Sequence, residues 1–333
     1  MVQPMKFVVV FIILTGLVSF VLGQDAEATP TLYTPTFPIT VESCGDPVTF
    51  ESAPERAVTF DTNLTEIMFA LGLEDRMAGY WLSGDTLAEE FEEQAEDVPL
   101  ISEETWPPPG FETILSFGPD FVFAEFGYTF SEENGVTPEA LETAGAKSYA
   151  LTTSCESDAP GDDLTLDITY VDILNIGRIF GVEDRAQTIV SEMQNNVEAI
   201  ETTIGVVDTQ RGFFYGGGGD RILTAGRYAV PSIMMESIGL ENIFNDLEAD
   251  WTYDVSWEIV IERDPEVIIV EDAPWESAED RIALLQSLPQ LASITAIQEE
   301  NFLVLPYRNV LSGLDIDEAV EILAVAAYPE LFE

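Results

Sequence analysis

Two glutamates hold matching places in a pattern that occurs twice. Glu112 lies seven residues before Pro119 in ETILSFGPDFVFA, and Glu258 lies seven before Pro265 in EIVIERDPEVIIV. In each copy the glutamate begins a helix, the proline ends it, and an acid and a buried strand follow. Carboxylates at the same place on two similar units could grip a basic partner with two-fold symmetry. Each also favours its own helix N-terminus, by about 0.3–1 kcal/mol. The usual parts of an enzyme are missing: there is no histidine, and the only cysteines, Cys44 and Cys155, lack metal-site spacing. GGGGDR (216–221) looks like a phosphate loop but has no Lys-Ser/Thr ending. Acids are so common that no pair stands out as a glycosidase couple. These residues indicate binding without catalysis, with no cofactor.

The elements that must position them follow from the hydrophobic pattern. AVTF (57–60) is a short apolar strand, Asn63 to Leu71 has helical spacing, and MAGY (77–80) is a second strand, which implies a parallel sheet. An acidic helix is expected around Leu87 to Glu96, then a proline-stiffened loop, a short helix and a strong strand in TWPPPGFETILSFGPDFVFAEF. KSYALT (147–152) is a further strand, and Thr165 to Phe180 is helical. After Gly205 the plan recurs: GFFYGGGG (212–219) is a strand entering a glycine loop, Val230 to Ile238 is helical, and VSWEIVIERDPEVIIVED is helix, proline, strand. NFLVLPY (301–307) is the last clear strand and Asp317 to Ala327 the closing helix.

Between the two copies lies RAQTIVSEMQNNVEAIETTI (185–204). Its apolar residues, Ala186, Ile189, Val190, Met193, Val197, Ile200 and Ile204, fall along one helical face. Asp184 can cap the start and Gly205 suits the end, for a helix roughly 30 Å long. The fold class is therefore α/β: two lobes, each with a central, mostly parallel sheet flanked by helices, joined by one long α-helix with a cleft between the lobes. The expected boundaries are 1–23 export signal, 24–40 Pro/Thr-rich tether, 41–183 first lobe, 184–205 linker helix and 206–333 second lobe.

The chain has 333 residues, of which 46% are hydrophobic, with 62 acids against 12 bases for a net charge of −50. That charge would repel nucleic acid and anionic membrane surfaces. Acids spread along the whole chain suit a solvated acidic surface. MVQPMKFVVVFIILTGLVSFVLG has one early lysine, an apolar run and small residues before a plausible cut at Gln24, which reads as an export signal. An uncleaved anchor is the alternative, and no cysteine follows the run to carry lipid. In an exported chain Cys44 and Cys155 could form a bridge; two buried thiols are the other reading.

The sequence resembles the substrate-binding proteins of ABC importers. APERAVTFDTNLTEIMFALGLEDRMAGY, GFETILSFGPDFVFA, IGRIFGVEDRA, TAG followed by IGLENIF, and VSWEIVIERDPEVIIV carry the likeness, which runs from about Thr49 to Pro329. The subgroup is the one for iron-siderophores, cobalamin and haem, whose lobes are joined by a single long helix. The resemblance implies ligand capture between the lobes of a monomer. Delivery to a membrane permease with its ATPase would follow, with Glu112 and Glu258 docking into arginines of the permease. The ligand implied is an iron chelate, foremost a ferric siderophore, or a corrinoid or haem. A sensor that presents ligand to a signalling receptor is the other reading. The protein would be exported, to the periplasm or the outer face of the cytoplasmic membrane.

In sheets of this kind ligands sit off the carboxyl ends of the strands. The loops there carry Tyr80, Trp81, Trp106, Phe126 and Tyr128 in the first lobe. In the second they carry Tyr215, Arg221, Arg227, Tyr228, Trp251, Tyr253, Trp275, Tyr307 and Arg308. Aromatic rings suit a large, flat or greasy chelate, and about half of this set is expected to touch ligand. Arg221, Arg227 and Arg308 could bind oxygen atoms of a chelate or pair with the abundant acids. Trp106 aligns with a ligand-packing tryptophan of the cobalamin-binding relative. The haem relatives' ligating tyrosine and the hydroxamate relatives' arginine are both missing from ETWPPPG.

Overall fold

The computed structural model describes residues 36–155, 165–219 and 221–332. The expected signal (1–23) and most of the tether lie outside the described residues. The first lobe opens with an antiparallel hairpin of β1 (Ile39–Ser43) and β2 (Asp46–Phe50). The tether expectation therefore runs too far: Ile39 and Thr40 already belong to a strand whose next residue, Val41, is buried in the core. The hairpin turns on Cys44 and Gly45, both at positive φ, which is what a two-residue turn between twisted strands requires.

Four parallel strands then form one sheet, in the order β4-β3-β5-β6: β3 (Ala57–Phe60), β4 (Met77–Trp81), β5 (Phe121–Ala124) and β6 (Lys147–Ala150). AVTF and FVFA are buried on both faces, as continuous apolar runs in a parallel sheet must be. Helices α1 (Thr62–Ala70), α2 (Glu92–Ala95), α3 (Phe111–Ser116) and α4 (Pro138–Ala144) lie between the strands in sequence. The acidic helix expected over 87–96 shrinks to a 3-10 turn and the four residues of α2. Glu89, Glu92, Glu93 and Glu96 would stack on one helical face with no base to offset them.

After α5 (Asp167–Phe180), α6 (Glu183–Ile204) runs for 22 residues, about 33 Å at 1.5 Å per residue. It starts at Glu183, two residues before the expected Arg185, so Asp184 sits in the first turn rather than capping it. Ala186, Val190, Met193, Val197, Ile200 and Ile204 are buried in one apolar cluster that also contains Ile173 and Phe121 of the first lobe and Ile233, Leu323 and Ile269 of the second. The long helix is bedded in a core that both lobes share.

The second lobe repeats the first. Its strands β7 (Gln210–Tyr215), β9 (Leu240–Asn242), β11 (Val267–Asp272) and β12 (Phe302–Pro306) form a parallel sheet ordered β9-β7-β11-β12, the same winding as β4-β3-β5-β6. A separate pair, β8 (Ile222–Ala225) with β10 (Trp251–Val255), is antiparallel. Helices α7 (Val230–Ser237), α8 (Trp257–Arg263), α9 (Ala278–Ser287), α10 (Thr295–Gln298) and α11 (Ile316–Ala327) complete it.

The duplicated proline pattern becomes a duplicated corner. The backbone N–H of Arg56 donates to Asp120 Oδ1 at 2.9 Å, and that of Arg211 donates to Glu266 Oε2 at 2.9 Å. Arg56 Nε donates to the carbonyl of Gly118 at 2.8 Å, and Arg211 Nε to that of Asp264 at 2.9 Å. Each arginine enters the first strand of its sheet and clamps the end of the helix that Glu112 or Glu258 begins.

Candidate functional site

A cavity of 1050 Å³ opens between the lobes, at the upper end of the range for small-molecule sites. The first lobe contributes Glu125 to Tyr128, which follow β5, and Leu151 to Cys155, which follow β6. These are the carboxyl ends of the strands, where an open α/β sheet leaves its backbone groups and loops for ligand. The second lobe contributes Gly216 to Gly218 after β7, Glu271 at the end of β11, Trp275 beyond it, and Tyr307 after β12.

The glycine loop is a wall of this cavity and no phosphate site, because it leads from β7 into β8 and not into a helix. Gly218 has φ +91°, and a Cβ there would meet the carbonyl oxygen of Arg221 at 2.1 Å, so the turn admits only glycine.

Aromatic side chains gather on both sides. Tyr128, Tyr253, Trp275 and Tyr307 line the cavity, as do Phe126, Tyr228 and Trp251. Trp275 meets Tyr307 edge to face with centroids 4.7 Å apart, and 60% of Trp275 is exposed. Trp106, 62% exposed, leans on Tyr128 with centroids 5.2 Å apart, which puts it beside the wall without lining it. Exposed rings of this size on a folded domain mark a surface meant to be covered.

Seven expected contacts do not line the cavity. Tyr80 packs on Phe69 in a small cluster of its own, and Trp81 is fully buried with its indole N–H on the carbonyl of Glu104 at 2.7 Å. Tyr215 is fully buried, packs on Trp257, and donates its hydroxyl to the carbonyl of Gly218 at 2.7 Å, so it shapes the glycine loop. β4 is covered on both faces, so the adjacent Tyr80 and Trp81 pack into separate clusters on its two sides, and Tyr215 is enclosed in the second lobe's core. Trp106 stands off as described, and Arg227 lies over the Tyr228 ring at 6.0 Å.

Arg308 crosses from the second lobe to the first and holds both oxygens of Glu66 at 3.0 and 2.9 Å, with its Nε on Asp315 at 2.8 Å. It ties the lobes together; burial outweighs Arg308 and pushes Glu66 up to about 7. Arg221, also in a loop, reaches Asp254 at 3.4 Å and lies over Tyr253.

Glu112 and Glu258 are exposed in the first turns of α3 and α8. The Ser256 hydroxyl holds the Glu258 carboxyl below its ordinary range. Cys44 and Cys155 are bonded, with Cα atoms 5.1 Å apart, and the bridge pins the hairpin turn to a strip of the cavity wall.

Carboxylates face the cavity as well. Glu125, Glu248, Asp250, Glu271 and Glu276 line it against one arginine, Arg281. Burial, then the charges of Asp61 and Asp250, push Glu125 up to about 8, and burial pushes Asp250 up to about 7. Asp61, beneath the wall, is raised by burial although Thr62 N–H and the Ser83 hydroxyl donate to it at 2.8 and 2.9 Å. Burial also raises Tyr128, to about 12, and Tyr307 further.

A cleft lined from two lobes of like winding fits what comparison with known proteins finds. Residues 58–308 match the family profile described as periplasmic binding protein. The chain belongs to the periplasmic binding protein family. It is 24% identical over 307 residues to the uncharacterized ABC transporter substrate-binding lipoprotein YvrC of Bacillus subtilis (strain 168), covering 90% of this chain and 88% of that one. It is 25% identical over 236 residues to the cobalamin-binding protein of Halobacterium salinarum (strain ATCC 29341 / DSM 671 / R1), covering 70% of this chain and 58% of that protein's length. Its fold matches a crystal structure titled ABC-type Fe3+-hydroxamate transport system from Saccharomonospora viridis DSM 43017, with a TM-score of 0.73 at 24% identity, over 88% of this chain and 99% of that one. Proteins of this family bind solutes and are not enzymes.

Sequence reasoning missed the polar part of this periplasmic binding protein's cleft: Glu125, Asp250, Arg281 and Ser312. Glu125 could have been found, because it follows the buried run FVFA directly and so must stand at a strand's carboxyl end. Asp250 carried no such signal among so many acids.

Proposed function

We propose that this chain is the extracytoplasmic solute-binding component of an ABC importer. It holds a large chelate, a ferric siderophore or a corrinoid, between its lobes and passes it to a permease with its ATPase. The observation that carries this reading is the 1050 Å³ cavity walled by aromatic rings from both lobes. Rings offer wide contact at low entropic cost, which suits a rigid macrocycle or chelate larger than a sugar or amino acid. The names of the relatives, cobalamin-binding and Fe3+-hydroxamate transport, support the same ligand class.

The lobes are braced by the shared core around α6 and by the Arg308–Glu66 bridge, so capture involves little hinge motion. Glu112 and Glu258 serve as the docking pair: exposed, equivalent in position, and placed on the two lobes so that one permease dimer can hold both. The protein acts as an exported monomer.

Quenching of Trp251, Trp275 and Trp106 fluorescence during titration with ferric siderophores, cobalamin and haemin tests the ligand class. Saturable quenching at micromolar ligand is expected with at least one of them, and silence from all would overturn it. Glu112→Ala with Glu258→Ala should leave that titration unchanged and abolish uptake through the permease; unaltered uptake would remove the docking role.

A further inference from the structure

We infer that the cleft selects ligands that carry positive charge, a protonated amine or a cationic metal centre on a large chelate, by presenting Glu125 and Asp250 to them from opposite lobes. This deepens the receptor reading and rests on it.

Three of the most buried carboxylates, Asp172, Glu66 and Glu271, are provided for. Asp172 accepts from the Tyr149 hydroxyl at 2.9 Å and from Thr152 N–H and Oγ1 at 3.1 and 2.6 Å. Glu66 takes Arg308 and the N–H of Ala88, and Glu271 takes Arg281 at 2.7 Å. Glu125 and Asp250 differ: among the described residues neither carboxylate accepts a hydrogen bond or meets a base, yet both line the cavity. Both are part-exposed on the cavity, so water solvates them while the cleft is empty, and a ligand that fills it must replace that water with a partner of its own.

A second group is left in the same condition. Ser312 lines the cavity and is 3% exposed; among the described residues the buried hydroxyls of Thr62, Thr129 and Ser312 have no partner, and of these Ser312 is the one on this cavity. Buried hydroxyls without partners are rare, and one on a ligand cavity is a group the fold leaves for something else. Ser312 sits on the second-lobe side of the bridge between lobes, its carbonyl accepting from Asn63 Nδ2 at 2.7 Å.

The bases near the cleft are already engaged, which argues against an anionic guest. Arg281 is spent on Glu271 and Glu276, and Arg308 on Glu66 and Asp315. Nor do the carboxylates form a bare-ion site: among the described residues no three acids or thiols are set to hold a metal ion. Charges spread across a wide cleft match a cation carried on a large ligand.

Around Glu125 stand Asp61, Asp250, Tyr128 and Tyr307, with Asp85 beside Asp61. All are acids or phenols, so each favours the protonated form of its neighbours. With Glu125 near 8 and Asp250 near 7, the empty cleft holds protons at neutral pH that a cation must displace. Cation affinity therefore rises between about pH 6 and pH 8.5, and binding releases protons.

The test uses ligand pairs that differ chiefly in charge: ferrioxamine B, which bears a free amine, against its N-acetyl derivative, and aquocobalamin against cyanocobalamin, the latter pair compared at pH 7, where the cobalt-bound water is still protonated. Haemin and a ferric tris-catecholate serve as anions. The charged member of a pair should bind at least about tenfold tighter, at pH 8 for the ferrioxamines, with the preference shrinking toward pH 6. Glu125→Gln and Asp250→Asn should each lower the ratio of charged to neutral binding, and the double variant should bring that ratio to about one; an unchanged ratio in the double variant would overturn the inference. Both replacements are isosteric and remove an unpaired charge, so thermal unfolding at pH 8 should show them at least as stable as the parent. Equal binding within both pairs, or tightest binding of an anion, would overturn the inference and leave the receptor reading standing. Failure of every chelate of either charge would take the receptor reading down, and this inference with it.

Discussion

The two lobes share a winding and differ in what braces it. In the first lobe the corner residue at the end of the docking helix is Gly118, at φ +62°; in the second it is Asp264, at φ +44°. Glycine takes that conformation freely, whereas the aspartate is held there by giving its carboxylate to Thr295, whose N–H and hydroxyl donate at 2.8 and 2.9 Å. The first lobe is stapled covalently, by a disulfide between residues 111 apart. The second is stapled by Arg281, 1% exposed, bound to Glu271 and Glu276 under the glycine loop. One architecture is thus stabilised by chain-entropy restriction in one half and by a buried ion network in the other. The cleft inherits a wall from each device.

Reducing the bridge, or replacing it in a Cys44→Ser, Cys155→Ser variant, should cost the most, up to about 4–5 kcal/mol in the chain-entropy model for a loop of order 100 residues. Denaturant unfolding measures the loss. Hydrogen exchange should place it in the first lobe; faster exchange confined to the second would break the comparison.

Arg281→Ala leaves Glu271 buried without its partner, at a cost of about 3–5 kcal/mol. That loss should shrink as the pH falls and Glu271, already raised by burial, takes a proton. A loss independent of pH would mean that Arg281 acts by filling space. The smallest effect belongs to the corner. Gly118→Ala should destabilise by about 1–2 kcal/mol through backbone strain alone, since the new Cβ meets Arg56 at an ordinary 3.7 Å. Asp264→Ala should cost a comparable amount for a different reason, since the strain is already in the parent and what is lost is the pair of bonds from Thr295.

The parts of this fold legible in the sequence were those written in local pattern. AVTF, FVFA and VIIVED are continuous apolar runs, α6 has one apolar stripe, and the proline pattern repeats with fixed spacing. Each survives in the structure almost residue for residue. The strands β9 and β10 were not legible, because LEN and WTYDV alternate too briefly and lie among turn residues. Within the site, the aromatics inside the central sheets, Tyr80, Trp81 and Tyr215, are buried, while Tyr228 and Trp275 outside the strands, Tyr307 just past β12 and Trp251 at the start of the separate β8–β10 pair reach the cleft.

The chain's order of residues by itself determined two like halves, the rod between them and the family they belong to, because periodicity and spacing are properties of neighbours along the chain. Which acids were answered by a base and which were left facing the cleft was decided only by tertiary structure. Arg308 finds Glu66 across 242 residues, and Glu125 and Asp250 line one cavity from different lobes. Charge pairing depends on distance in space and on removal from water, and neither is encoded in any one stretch of sequence.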